Sequence, residues 1–333
     1  MKIFTWNIND DRRVQLGGFA NKTHEKWSIQ NRLPEIIDFL TTKYSGMDIY
    51  CLQEMSRSTC AKIKKEMEEN GYKCIEGQYS SDEEAYMLLT ILNTNVKYLS
   101  HKITYYNKNM KTPTFTSEQY KCYKSLEKTD KKKFEEMKAK LLVENLGRDF
   151  ETSCLSVDIK YNDLQFTIHN THLGTQKEQK MKACHLLVND IDKNSRQSII
   201  ICGDFNTFVE DYDEQMNIFK GYNDLTESIE TTFHFYPYDF ACGGKEKDEM
   251  KLLKENELIE YINKKNMQRK SPFGGHLDHI FSIEPVKFKT TCPEYNTIKN
   301  NTDKLLQGPI IPSDHLPLIC EIIFIETVSD FDE

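Results

Sequence analysis

The chain has 333 residues, 38% of them hydrophobic and 29% charged, with a formal net charge of −8 and a mean hydropathy of −0.65. That length and apolar share suffice for an ordinary buried core, they exclude a disordered chain, and no run approaches the roughly 18 apolar residues of a membrane helix. The acidic balance argues against a broad basic face that coats nucleic acid, but not against an enzyme whose metal neutralises one phosphate locally.

The opening Met1-Lys2-Ile3-Phe4-Thr5-Trp6-Asn7 reads as a strand, with no charged leader or apolar signal stretch before it, so an intracellular protein, cytoplasmic or nuclear, is expected. A helix is predicted from Ser28 to Tyr44, where Ile29, Leu33, Ile36, Ile37 and Leu40 recur at helical spacing, and similar patterns run from Ser58 to Asn70 and from Lys177 to Asp192. After the first strand, from Lys2 to Asn7, further strands are predicted at Asp48 to Gln53, Tyr86 to Asn93, Ser153 to Lys160, Leu164 to His172, Ser198 to Asp204, Leu277 to Ile283 and Leu316 to Ile325. Short apolar runs alternating with amphipathic segments indicate layered sheets covered by helices. Without repeats or Gly/Ser linkers, residues 1–325 read as a single domain, with insertions near 105–150 and 245–270 and an acidic tail at 326–333.

The first insertion carries nine Lys/Arg against five Asp/Glu between Lys121 and Arg148, with Tyr105, Tyr106 and Tyr120 just before it and Tyr123 inside. It reads either as a solvated helix laced with i,i+4 pairs or as a basic surface whose tyrosines could stack on bases. The segment from Lys245 to Lys270 has the same ambiguity. Ten cysteines are scattered without a C-x-x-C pair, so neither a zinc site nor a disulfide framework is signalled. Cys51, Cys202 and Cys320 lie in apolar runs and are expected to be small buried hydrophobes in a reducing compartment.

Polar residues repeatedly end these strands. Asn7 closes the first, Gln53-Glu54 follows Ile49-Tyr50-Cys51-Leu52, His172 closes the run from Phe166, and Asp204 and Asn206 follow Ile199-Ile200-Ile201-Cys202-Gly203. Asp278-His279 follows His276-Leu277, and Asp314-His315 precedes the last strand. Singly, each is a turn residue, a surface carboxylate or a structural histidine. If the strands share edges they converge, and carboxylates with Asn and His suit a hard, oxygen-liganded cation.

Taken in order, Thr5-Trp6-Asn7, Leu52-Gln53-Glu54, Asn170-Thr171-His172-Leu173, Gly203-Asp204-Phe205-Asn206, Leu277-Asp278-His279-Ile280-Phe281 and Ser313-Asp314-His315-Leu316-Pro317 resemble the signature blocks of the endonuclease/exonuclease/phosphatase superfamily. The resemblance implies a deoxyribonuclease I-like α/β four-layer sandwich, two central mixed β-sheets flanked by helices, with a cleft at one edge. It implies a Mg²⁺ site, with Mn²⁺ as a substitute, on Glu54 with Asn7 and Asp314. By the same resemblance Asp204 orients or deprotonates the attacking water and Asn206 holds water or phosphate. His315 contacts the scissile phosphate with Asp278 fixing its tautomer, and His172 is a second phosphate-contacting histidine beside Asn7. Asn9 stands where repair endonucleases of the family often carry an acidic residue, which weakens a two-metal version. Gly174-Thr175-Gln176-Lys177 lacks the pattern of the tyrosyl-DNA phosphodiesterases. Thr231-Thr232-Phe233, Tyr236-Pro237-Tyr238-Asp239 and Phe273-Gly274-Gly275 fall where family members place substrate loops, and simple loop packing is the other reading of them.

The function expected first is a Mg²⁺-dependent phosphodiesterase acting on nucleic acid, as a nuclease or end-processing enzyme, in a monomer with no stable membrane association. A phosphoinositide phosphatase or sphingomyelinase-like lipid hydrolase comes second, and an inactive scaffold third, since Glu54, Asp204 and His315 are all present.

Overall fold

The computed structural model describes residues 1–10, 28–79, 86–106, 132–133, 152–174, 177–194, 198–208, 211–234, 273–284, 286–300 and 312–323. One six-stranded sheet takes β1 (Lys2–Asn7), β2 (Ile49–Met55), β3 (Lys73–Gln78), β4 (Met87–Leu92), β13 (Lys287–Thr291) and β14 (Leu318–Ile323), in the spatial order β13-β14-β1-β2-β4-β3. The other takes β5 (Lys97–Tyr105), β6 (Ser153–Tyr161), β7 (Leu164–His172), β8 (Ser198–Asp204), β9 (Asn223–Asp224) and β12 (Asp278–Ser282), ordered β5-β6-β7-β8-β12-β9. A short ribbon pairs β10 (Phe233–His234) with β11 (Phe273–Gly275). In each large sheet one pair is parallel, β1 with β2 and β7 with β8, and the other pairs are antiparallel.

Three apolar layers hold the sheets and helices together. Between the sheets lie Ile3, Ile49, Cys51, Leu88, Leu155, Val157, Ile168, Ile200, Cys202, Ile280 and Leu318. Outside the first sheet, α1 (Ile29–Asp38) and α2 (Arg57–Glu69) bring Leu33, Ile36, Cys60, Ile63 and Met67 against Phe4, Trp6, Tyr50 and Leu52. Outside the second, α3 (Lys177–Asn194) lays Ala183, Cys184, Leu187 and Ile191 on Ile199, Ile201 and Phe281, and the short α4 (Tyr212–Ile218) adds Met216 and Ile218. The expected four layers are therefore present. Each fully buried Ile or Leu in them contributes about 1.5–3 kcal/mol of transfer free energy.

The helix predicted from Ser28 to Tyr44 is α-helical only to Asp38 and continues as a π-helical turn over Phe39–Lys43. The next helix is capped by Ser56, whose hydroxyl accepts from Thr59 N at 3.2 Å, and it ends in a Schellman turn in which Gly71 takes φ +84. Six strands escaped the sequence reading: β3, β5 and β13, and the two- and three-residue β9, β10 and β11. All are edges of a sheet, and β5 and β13 are largely exposed, so their ladder bonds rather than an apolar pattern define them. Two short helices, α4 and α5 (Tyr295–Asn300), were also missed.

Tyr105 ends β5, and Tyr106, read from sequence as a possible stacking surface, is buried in the helix-side core of the second sheet. The stretches 107–131 and 134–151, which hold most of the basic insertion, lie outside the described residues, as do Lys245 to Lys270 and the tail 326–333. No helix among the described residues is long and apolar enough to cross a membrane.

Candidate active site

The inter-sheet face of each central strand is apolar for most of its length and turns polar at one end. With a period of two, Ile3, Thr5 and Asn7 share a face of β1, and so do Ile168, Asn170 and His172 of β7, Ile200, Cys202 and Asp204 of β8, and Ile280 and Asp278 of β12. Register sets the polar ends side by side: Asn7 opposite Gln53, His172 opposite Asp204, Asp204 opposite Asp278. β1, β2, β7 and β8 bring their C-terminal ends to this rim and the antiparallel β12 its N-terminal end, and the hydrogen bond from Asn7 to Asp204 joins the two sheets there.

Glu54 follows Gln53 and by alternation would point away. A register shift between Leu52 and Met55 and a left-handed backbone at Glu54 (φ 55) break the alternation, and its carboxylate reaches His172, with Oε1 3.0 Å from Nε2. Asn206, also left-handed at φ 48, turns the chain after β8 so that its own N–H donates to Asp204 Oδ1 at 2.7 Å. Gly203, just before Asp204, has φ +141, and a Cβ there would meet Thr171 O at 1.9 Å, so only glycine lets β8 run this close to β7.

Asp204 sits at the centre. Its Oδ2 accepts from Asn7 Nδ2 at 2.8 Å and lies 3.4 Å from His172 Nε2 and 3.7 Å from His315 Nε2. His315 Nδ1 is 2.9 Å from Asp278 Oδ2, and its Nε2 is 3.4 Å from Asn7 Nδ2. Asn206 Nδ2 donates to Leu173 O at 2.6 Å and lies 3.4 Å from His172 Nε2. Asn7, Glu54, His172, Asp204, Asn206, Asp278, Asp314 and His315 are all buried and gathered at this rim.

No protein-family model matches the chain, and no curated protein does. Solved structures do. An endonuclease/exonuclease/phosphatase family protein from Bacteroides thetaiotaomicron is 14% identical with a TM-score of 0.57, the match covering 98% of each chain. A mannosyl-6-phosphatase of the same organism is 13% identical, with a TM-score of 0.58 over 97% of this chain and 100% of the other. The human Nocturnin catalytic domain, solved with a bound sulfate anion, is 15% identical, with a TM-score of 0.52 over 98% and 94%. The fold is that of the endonuclease/exonuclease/phosphatase superfamily. At these identities the likeness is one of fold.

Within the endonuclease/exonuclease/phosphatase fold, the charges at this rim follow from its burial and its neighbours. Burial opposes a charge on His172, but hydrogen bonds to Asp204 and Glu54 outweigh it and lift its pKa to about 9. For His315 burial again opposes, and the Asp278 and Asp204 carboxylates carry it well above the ordinary imidazole value. Asp204 is buried too, yet His315 and His172 hold it down to about 2. Asp278 is pushed up, chiefly by burial and further by Asp204, so a proton stays within its pair with His315.

Ligand atoms of Glu54, His172 and Asp204 lie within 4.8 Å of one another, as do those of Asp204, Asp278 and His315. Asp314, whose pKa is raised by burial and also by Glu54, keeps a buried Oδ1 with no hydrogen-bond partner, and Asp278 Oδ1 is in the same condition. Buried carboxylate oxygens without donors fit a site that receives a hard cation.

Several supporting residues were not legible in the sequence. Arg32, 2% exposed, donates to the carbonyls of Ile8, Asn9 and Pro312 at 3.1, 2.6 and 2.6 Å, tying the loop after β1 to the loop before β14. Lys180, fully buried, donates to Asn206 O at 2.6 Å and pairs with Asp211 at 2.9 Å, fixing the turn that carries Asn206. Thr232, read as part of a substrate loop, is buried, and its Oγ1 accepts from the backbone N–H groups of Leu277 and Asp278, both at 2.9 Å. Tyr236 to Asp239 lies outside the described residues. The thiols of Cys51, Cys202 and Cys320 are free and buried, as their apolar settings predict.

Proposed function

We propose that this chain is a divalent-metal-dependent hydrolase of phosphoric esters. The observation that carries the reading is a buried carboxylate, Asp204, whose Oδ2 lies 3.4 Å from His172 Nε2 and 3.7 Å from His315 Nε2, with the pKa of both imidazoles raised by their carboxylate neighbours. A phosphate ester resists attack because its oxygens are negative, so a site must bind those oxygens, offset their charge and hold a water in line with the bond to be broken.

In the proposed arrangement Glu54, Asp314 and Asn7 would hold Mg²⁺, with Mn²⁺ as a substitute. Asn7 Oδ1 accepts one hydrogen bond, from Asn9 N at 2.9 Å, and has a second lone pair for the cation. Such a cation supplies neutralisation of the phosphate and stabilisation of the departing oxygen. His315 and His172 donate from Nε2 to the non-bridging oxygens, and Asp278 fixes the His315 tautomer through Nδ1. Asp204 accepts a hydrogen bond from the attacking water and aims it at phosphorus. Asn206, held by Lys180, steadies water or phosphate beside His172. As the new O–P bond forms, the water gives its proton to Asp204, the P–O bond to the leaving group breaks on the opposite side, and the departing oxygen takes up a proton from solvent.

For the substrate, we propose a phosphodiester of nucleic acid, resting on the Lys-rich stretch from Lys121 to Arg148, with Tyr120 just before it and Tyr123 inside. A sugar phosphomonoester is the second reading, favoured by the full-length likeness to a mannosyl-6-phosphatase. The test is Mg²⁺-dependent release of product by the wild type and Asp204→Ala from single- and double-stranded DNA, RNA, a hexose 6-phosphate, phosphoinositides and sphingomyelin. Turnover of a polymer, lost in the variant and with EDTA, supports the first substrate. Turnover confined to the sugar phosphate or to lipids replaces it, and no turnover of any ester refutes the hydrolase.

A further inference from the structure

The geometry points to Tyr79 as a positioning residue that sets both Glu54 and His172, the two acid-facing members of the rim. This inference rests on the metal-dependent hydrolase reading above. Tyr79 follows β3, is 1% exposed, and is absent from every motif in the sequence.

The left-handed backbone that turns Glu54 inward also takes its N–H out of the β2/β4 ladder, where it would be buried without an acceptor. The Tyr79 hydroxyl accepts that N–H at 2.8 Å. Asp10 N donates to Glu54 O at 2.9 Å on the other side, so the strained residue is clamped at both backbone groups. The same Tyr79 ring stacks on the His172 imidazole, with centroids 5.0 Å apart and planes 16° from parallel.

That stack bears on a gap in the usual support of such a histidine. A working imidazole is normally oriented by a hydrogen bond to its second nitrogen. His315 Nδ1 has one, to Asp278 Oδ2, but His172 Nδ1 is buried with no partner. The plane of His172 is therefore set by what its Nε2 meets and by the phenol face beneath it, an arrangement that also favours the charged ring. Tyr79 is itself fixed: its N–H donates to Tyr86 O at 2.9 Å, its ring meets Tyr86 edge-on, and the neighbouring Gln78 carbonyl accepts from Ser153 Oγ at 3.1 Å.

Two substitutions separate the two jobs. Tyr79→Phe keeps the ring and loses the hydroxyl, and Tyr79→Leu loses both. Mn²⁺ titration by calorimetry on the full chain needs no substrate and reads the first job. Tyr79→Phe is expected to bind Mn²⁺ on the order of tenfold more weakly, the scale on which outer-shell partners affect metal affinity. Saturating Mn²⁺ should restore its hydrolysis of bis-p-nitrophenyl phosphate, whereas Tyr79→Leu should stay on the order of tenfold below it in kcat with KM little changed. Tyr50→Phe is the control, since Tyr50 is equally buried and its hydroxyl donates to Tyr44 O at 2.8 Å, away from the rim. It should lower thermal stability and leave Mn²⁺ affinity alone. Wild-type affinity in Tyr79→Phe, beside a Glu54→Gln variant that binds poorly, would overturn the role of Tyr79 and leave the metal site standing. Equal weakening in Tyr50→Phe and Tyr79→Phe would reduce the effect to general loosening and also overturn it. A wild type that binds no Mn²⁺ would refute the hydrolase reading itself.

Discussion

His169 and His172 stand on the same strand, β7, and are both buried, yet they face opposite sides of the sheet and their pKa values move in opposite directions. On the helix side, His169 meets Ser156 Oγ at 2.9 Å and Cys154 Sγ at 3.6 Å, and burial drives its pKa down to about 4. On the rim side, His172 has Glu54 and Asp204 against its Nε2, and despite the same burial its pKa rises to about 9. The residue type decides little here. His172 has carboxylates directly against its ring, whereas His169 touches a hydroxyl and a thiol and feels Asp190 and Asp158 only against burial and Lys102, and that difference sets the direction of each shift.

The strongest way to break the rim is to remove its central charge. Asp204→Asn should cost on the order of a thousandfold in kcat/KM, the scale for loss of a principal catalytic group, while thermal unfolding remains cooperative. Steady-state hydrolysis and a melting curve on the same sample check both halves. Retained activity would remove Asp204 from the mechanism.

The two histidines should also pull stability in opposite directions with pH, measured in EDTA. His169 has a folded pKa below the ordinary 6.5, so the unfolded chain takes up the proton first; its contribution is complete above 6.5 and declines as pH falls toward 4. His172 has a folded pKa above 6.5, so its contribution is complete below 6.5 and is lost as pH rises through 9. Each shift corresponds to about 3 kcal/mol. Urea unfolding from pH 4.5 to 9 should show His169→Gln flattening the acid side and His172→Gln the alkaline side. The same slope in both variants would contradict the assignment.

A smaller effect is expected at the other rim histidine, His315. Asp278→Asn removes the carboxylate that lifts His315, so activity should fall by about tenfold to a hundredfold and its alkaline limb should move to lower pH. A pH–rate profile that drops in height without moving would mean that Asp278 only supports the strand.

The central strands were legible because burial on both faces leaves near-continuous apolar runs, and their polar endings stood out for that reason. Ile199-Ile200-Ile201-Cys202-Gly203-Asp204 is the plainest case, and β8 occupies Ser198–Asp204 as expected. The exposed edge strands β5 and β13 carry no such contrast, since partners elsewhere in the chain supply their bonds. Asp204 and His315 could be read as chemistry from their motifs, but not the left-handed turn at Glu54 or the Tyr79 hydroxyl that receives its N–H. Those depend on contacts between distant segments, and neither Tyr79 nor Arg32 belongs to a local pattern.

The most direct test of the rim as a metal-dependent phosphoester site is hydrolysis of bis-p-nitrophenyl phosphate at neutral pH by the wild type, first in EDTA and then with Mg²⁺ restored, beside Asp204→Asn. Turnover is expected to appear only with Mg²⁺ and to be lost in the variant. Turnover that ignores both Mg²⁺ and Asp204, or none under any condition, would contradict the metal-dependent reading of the rim.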